Sequence, residues 1–164
     1  AHFMRVSVKS HEAHNNIGMV MAQRGNLDEA TKYFEKAIEI EPSFALGHSN
    51  LGGALLQKGR LHEALEHCRR AVEINPEFAE AHDVLGIALF QTGEIDEGME
   101  HWARAVEIEP GFVDAYANWG RALAGQNRNE EAIDAFRQVL RLDPNHQAAQ
   151  QRLARLLEST SSED

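Results

Sequence analysis

Cysteine is almost absent. Cys68 stands alone, so an intramolecular disulfide framework and any metal site built on several thiolates are excluded. A lone thiol fits a reducing compartment, and the cytoplasm is the expected location. Long apolar runs are missing as well: the uninterrupted ones reach only a few residues, far short of the roughly 20 that a membrane helix needs. No N-terminal stretch has the charged, apolar and small-residue zones of a signal peptide, and the opening Ala1-His2-Phe3-Met4 reads as the edge of an excised fragment. Cations are scarce, with 16 Lys plus Arg against 26 Asp plus Glu and a net charge of −10. Phosphate backbones and anionic membranes attract clustered cations, so neither nucleic acid nor membrane is an expected partner. The acidity reads as solubility. No Gly-x-x-x-x-Gly-Lys loop is present to cradle a phosphate, and no Ser sits in a nucleophile elbow. Carboxylates such as Glu80 and Asp83 lie on helices with no pocket to raise their pKa. The expectation is a non-enzyme with no cofactor and no metal.

Proline is rare too, and its placement is informative. All four prolines, Pro42, Pro76, Pro110 and Pro144, fall 34 residues apart. Gly18, Gly52, Gly86 and Gly120 keep the same step, as do Ala30, Ala64, Gly98 and Ala132, and Ala37, Ala71, Ala105 and Val139. A fixed period of this size signals stacked repeats. At 164 residues with 43% hydrophobic content, the chain can bury a substantial core as one folded unit.

Each repeat reads as helix, tight turn, helix, short turn. Leu46, Leu51, Ala54 and Leu55 follow helical spacing. Gly25, Gly59 and Gly93 stop the first helices by accepting a left-handed conformation, and Asn127 takes that place in the fourth repeat. Glu29, Glu63, Glu97 and Glu131 sit in the first turn of the second helices, where the dipole favours anions. Those helices end before each Pro. The spacing predicts helices at 11–24, 27–40, 45–58, 61–74, 79–92, 95–108, 113–126 and 129–142. A ninth, 147–158, has Leu153, Leu156 and Leu157 on one face and a polar opposite face, as a capping helix needs. The expected organisation is an extension or stub of a preceding repeat at 1–10, repeats at 11–44, 45–78, 79–112 and 113–146, the cap at 147–158, and a disordered tail at 159–164.

These columns resemble the tetratricopeptide repeat (TPR) over residues 11–158. The family's Leu-Gly pair appears as Ile17-Gly18, Leu51-Gly52, Leu85-Gly86 and Trp119-Gly120, and its later aromatic column as Phe34, Cys68, Trp102 and Phe136. Small residues let two helices approach closely, and the aromatic fills the space beside them. Cys68 in that column reads as an inert core residue. The resemblance implies an all-α fold, a right-handed superhelical solenoid of helical hairpins, and a role as a protein-interaction scaffold.

One column departs from the family: His14, His48 and His82 stand where Trp or Tyr is common, with Tyr116 in the last repeat. A shared metal needs its nitrogens at about 2 Å, whereas equivalent residues in neighbouring repeats lie on the order of 10 Å apart. Packing is therefore the expectation. The segment His11-Glu12-Ala13-His14 imitates a metalloprotease motif with the wrong histidine spacing. His67 and His101 form a further column, expected on the outer side of the second helices.

In TPR arrays the first helices line the partner-binding groove. Carried over, the lining includes Asn15, Asn16, Met19 and Gln23, then Ser49, Asn50, Leu56 and Gln57. It continues through Glu80, Asp83, Val84, Ile87 and Phe90 to Asp114, Asn118 and Arg121, with Arg152 and Arg155 on the cap. Asn16, Asn50 and Asn118 share a column that resembles the asparagine ladder in the TPR arms of O-linked N-acetylglucosamine transferases. An amide donates and accepts, so such a row can grip a peptide backbone. The alternative is that it steadies the helices or faces water. A carboxylate clamp is not expected, because its positions hold Asn15, Met19, Asn50, Glu80 and Val84. The expected ligand is a peptide with apolar anchors and some basic character. The alternative function is a substrate-recruiting or regulatory arm of a larger protein such as a glycosyltransferase. Self-association is a further expectation, through Phe3, Met4, Val6 and Val8.

Overall fold

The computed structural model describes residues 10–161, and among them all regular structure is helical. In order the helices are α1 His11–Gln23, α2 Leu27–Ile40, α3 Ala45–Gln57, α4 Leu61–Ile74, α5 Ala79–Thr92, α6 Ile95–Ile108, α7 Val113–Gly125, α8 Asn129–Leu142 and α9 Gln147–Ser161. The expected all-α class of tandem helical hairpins is the one observed. The N-terminal arm expected to self-associate, residues 3–8, lies outside the described residues.

The chain divides into two compact units, one ending at Pro76 and one starting at Glu77, where a single folded unit was expected. Stacked repeats touch only their neighbours, so no single core has to serve the whole chain. In the first unit α1 packs on α2 and α3 on α4, with α2 and α1 both meeting α3. In the second, α5 packs on α6 and α7 on α8; α7 also meets α6 and α5, and α9 closes on α8.

The turn inside each hairpin follows from one backbone position. Gly25, Gly59 and Gly93 have φ of 79°, 73° and 91°, and Asn127 has 58°. Such turns of two or three residues between helices in broad contact make the pair antiparallel. Close approach comes from the other glycine column. A Cβ built on Gly18 would lie 2.6 Å from the Phe34 ring, one on Gly86 2.7 Å from Trp102 Nε1, and one on Gly120 3.1 Å from the Phe136 ring. At Gly52 it would collide with Cys68 Sγ. Small residue and filler therefore interlock in all four repeats.

Helix starts differ between ends and interior. Ser10 caps α1, accepting from Ala13 N at 3.4 Å, and His146 Nδ1 accepts from Ala149 N at 3.1 Å at the start of α9. The equivalent interior residues, Phe44, Phe78 and Phe112, make no side-chain cap. Phe44 instead packs on Gly47, whose built Cβ would lie 2.6 Å from its ring.

Helices α1, α3 and α7 end one residue short of expectation, and the largest difference is at the end of α9. α9 runs to Ser161, so Ser159, Thr160 and Ser161 are helical rather than part of a disordered tail. No Gly or Pro follows Leu157 to stop the helix. Ser159 donates its hydroxyl to the Leu156 carbonyl at 2.8 Å, a bond compatible with helix.

The first unit's core joins Ala30, Phe34, Leu51, Ala54, Leu55 and Ala64. The second unit's core is built around Trp102, Leu123, Phe136 and Val139, and Leu153 and Leu156 of α9 pack against it. Much of the surface charge is absorbed by exposed pairs three residues apart, such as Arg60–Glu63, Arg70–Glu73 and Arg128–Glu131. Each contributes little to stability.

Candidate functional site

The predicted lining falls on α1 and α3 in the first unit and on α5, α7 and α9 in the second. In the first unit Asn15 and Ser49 are buried, 1% and 4% exposed. They belong to the packing rather than to an open surface. Asn16, Met19, Gln23 and Gln57 are exposed, while Asn50 and Leu56 are half-buried, and Leu56 packs on the core.

Asn50 and Asn118 of the asparagine column have side-chain partners one residue off the 34-residue period. Asn50 donates Nδ2–H to Asn15 Oδ1 at 2.8 Å, and Asn118 donates to Asp83 Oδ1 at 3.0 Å. Both bonds span 35 residues, one more than the period. They tie each first helix to the one before it within a unit, α3 to α1 and α7 to α5. The amides at Asn50 and Asn118 are thus engaged in inter-helix bonds. The exposed member, Asn16, lies on α1.

The second unit holds a built concavity. A cavity of about 430 Å³ is lined by Asp83, Ile87, Asp114, Asn118 and Arg121, with Phe136 at its floor and His146 and Arg152 from the α9 end. A neighbouring cleft of about 260 Å³ shares Ile87, Asn118 and Arg121 and adds Phe90, Gln91 and Trp102. Asp83 and Asp114 share one cavity with Arg121 and Arg152. Among the described residues neither arginine makes an ion pair, and Arg121 reaches only Asn118 Oδ1, at 3.4 Å. Glu80 is exposed and Val84 half-buried on α5; neither lines these cavities.

Asp83 is the unusual group, a carboxyl 8% exposed. Burial pushes its pKa up, opposed by hydrogen bonding from Asn118 and by the Trp102 indole, with Asp114 and Glu80 adding negative charge. The sequence offered no pocket for such a shift; the pairing of α5 with α7 creates it. A raised folded-state pKa means that Asp83's penalty is absent below the ordinary value of 3.8 and sets in as pH rises through the raised one. Asp83→Asn keeps an acceptor for Asn118 and removes the charge. It is expected to stabilise the protein at pH 7 by about 1 kcal/mol. Thermal melts should show the gain shrinking as pH is lowered toward 3.8.

The remaining candidates fall into packing roles. Cys68 is fully buried, and its thiol is pushed up to about 12 by desolvation, which disfavours the reactive thiolate. His11 stacks edge-on against Phe44 at 4.6 Å, and His14 Nδ1 lies 3.0 Å from the Ser10 carbonyl oxygen. His67 and His101 do not face outward. Each turns into its hairpin, with Nδ1 at 3.1 Å from His48 Nδ1 and at 2.8 Å from His82 Nδ1 respectively. A spacing of 19 within the repeat links each pair, and that spacing could have been found in the sequence.

Residues 11–44 and 45–78 match a family model of the tetratricopeptide repeat, and residues 113–146 match a second model of the same repeat. No curated protein matches the chain. Among solved structures, PilF of Pseudomonas aeruginosa superposes with a TM-score of 0.86 at 24% identity, over 93% of this chain and 69% of that one. MamA superposes at 0.74 with 24% identity, over 85% of this chain and 82% of that one. A chain of the APC/C hetero-tetramer Cut9–Hcn1 superposes at 0.84 with 18% identity, over 91% of this chain and 30% of that one. Identities this low speak for the fold alone.

Proposed function

Because the chain belongs to the tetratricopeptide repeat family, we propose that it is a non-catalytic protein-interaction scaffold whose docking face is the α5–α7–α9 wall. What supports this is one cavity of about 430 Å³ that collects Asp83, Ile87, Asp114, Asn118, Arg121 and Arg152. Its chemistry describes the ligand. Ile87 and the 37% exposed Phe90 offer a seat for an apolar anchor. Asp83 and Asp114 suit a basic side chain beside that anchor, and Arg121 and Arg152 an acidic one. The partner is a peptide segment of another protein, extended or helical. Ordering a flexible peptide offsets several kcal/mol of contact energy, so a Kd of about micromolar order follows.

Peptides selected by display on the purified chain test this. Their affinity should fall at least about tenfold, a loss of roughly 1.4 kcal/mol, when exposed Phe90 and Arg121 are changed together (Phe90→Ala, Arg121→Glu). Asn16→Ala with Gln23→Ala on α1 should leave it unchanged. Equal affinity for all three proteins would remove the α5–α7–α9 wall from the account.

A further inference from the structure

Two histidine pairs occupy matching places in successive repeats, one in each compact unit. In the first, His48 on α3 is 8% exposed, and its ring stacks on His67 of α4 with centroids 5.3 Å apart. His48 Nε2 lies 3.1 Å from the Pro42 carbonyl oxygen, and the two Nδ1 atoms lie 3.1 Å apart.

These distances determine where the protons sit. A carbonyl only accepts, so His48 Nε2 carries a hydrogen. Neutral His48 then has a bare Nδ1, and His67 must donate its own Nδ1–H to it. His67 Nε2 is left as the free acceptor. A first added proton goes to His67 Nε2 and preserves both hydrogen bonds. A second has only His48 Nδ1 to occupy, which would set two N–H groups head to head across 3.1 Å and place two charges in one buried stack.

We propose that His48 and His67 form an acid-sensitive latch between α3 and α4, which stays closed with at most one added proton and opens when a second is loaded. The charged groups acting on the pair come from α4 and its N-cap: Arg70 on His48, and Glu66, Glu63 and Arg60 on His67. The turn before α3 contributes the Pro42 carbonyl, and no side chain of α2 is among those charges. Burial lowers both histidines below the ordinary 6.5, and for His67 the charge of His48 acts in the same direction.

The unfolded chain therefore takes up protons that the closed hairpin refuses. Stability is complete above 6.5 and declines as pH falls through the lowered folded-state values. The geometry recurs 34 residues on, where His82 and His101 bring their Nδ1 atoms within 2.8 Å and His101 Nε2 lies 4.0 Å from Glu97. The equivalent positions in the outer repeats hold His14 with Tyr33 and Tyr116 with Ala135, which are not histidine pairs. Opening α3 from α4 would loosen the face on which Asn50 holds Asn15.

Nitrogen-15 imidazole spectra of the intact chain, together with urea unfolding at stepped pH, provide the test. At pH 7.5 the spectra should show His48 protonated on Nε2 and His67 on Nδ1. The unfolding equilibrium constant should rise by about tenfold per pH unit below 6.5 for each refused proton. Glutamine at position 48 keeps an N–H for the Pro42 carbonyl and an acceptor for His67 Nδ1–H but does not titrate, so His48→Gln should lower that slope by the one proton the wild-type pair refuses. Opposite tautomers in the wild type would overturn the latch, as would independent titration of both rings near 6.5. The wild-type spectra decide the matter even if the variant fails to fold. An undiminished slope in a folded His48→Gln variant would overturn it equally.

Discussion

Trp102→Ala is expected to lower the unfolding free energy by about 3–5 kcal/mol, whereas Trp102→Phe should cost less than about 1.5 kcal/mol. The indole is 2% exposed, fills the space beside Gly86, and lies 5.9 Å from the Phe90 ring. Alanine would leave a void between α5 and α6 that the helices cannot collapse to fill, because backbone contact at Gly98 already holds them close: a Cβ there would lie 3.0 Å from the Gly86 carbonyl. Phenylalanine already does this job at Phe34 and Phe136 in the matching column. The indole N–H makes no well-aligned hydrogen bond, although it lies near enough to Asp83 to favour that carboxylate's charge. Losing it therefore removes little. Urea denaturation followed by circular dichroism would give both values, and similar losses for the two variants would refute the packing assignment.

Gly52→Ala should change sign with its background. In the wild type a Cβ at Gly52 meets Cys68 Sγ at a forbidden distance, with the Ala64 carbonyl at 3.4 Å and Cys68 N at 3.5 Å in ordinary contact. Cys68 is fully buried and cannot swing aside. Overpacking of this kind costs about 1–3 kcal/mol. With Cys68→Ala the obstructing sulfur is gone, and the added methyl occupies part of the vacated space. Alanine is also the better helix former by about 1 kcal/mol. On that background the same substitution should be neutral or stabilising, giving a coupling of roughly 2 kcal/mol or more in a double-mutant cycle. Additive effects would mean that Gly52 and Cys68 do not interlock.

Those two columns also show how much was legible in sequence. Helix limits followed almost residue for residue, because Pro42 and its equivalents and the Gly25 column act locally: each stop is set by one residue's own backbone preference. The interlock of Gly52 with Cys68 was legible for a related reason, since the 34-residue period puts a small residue and its filler in every unit. What failed needed knowledge of which face turns inward. Period alone does not orient a helix, so the outward expectation for His67 fails: the α3–α4 contact brings it onto His48. For Asn50 and Asn118 the helix-steadying alternative is the one the bonds support, but their partners Asn15 and Asp83 escape a comparison at a step of 34 because they lie 35 residues back.

Part of the lining of the cavity and its neighbouring cleft was legible in the sequence, while Phe136, His146 and Trp102 in that lining and the cavity's electrostatics were not. Asp83, Asp114 and Arg121 all lie on first helices, which the repeat pattern alone reveals. Their convergence on one cavity depends on α5 packing beside α7 and on α9 closing on α8, and the first of these contacts contributes to the burial that raises Asp83. Cap residues at the helix starts carried a local signal of their own. Ser10 and His146 sit at the two ends of the Phe44, Phe78 and Phe112 column, polar where the interior members are apolar.

The proposed docking of a partner peptide against the wall formed by α5, α7 and α9 can be observed residue by residue. Amide chemical-shift mapping with a display-selected peptide measures this directly. The largest shifts are expected at Ile87, Asn118, Arg121 and Arg152, with little change along the outer faces of α6 and α8. Shifts concentrated on α6 and α8, or confined to α1 and α3, would contradict it.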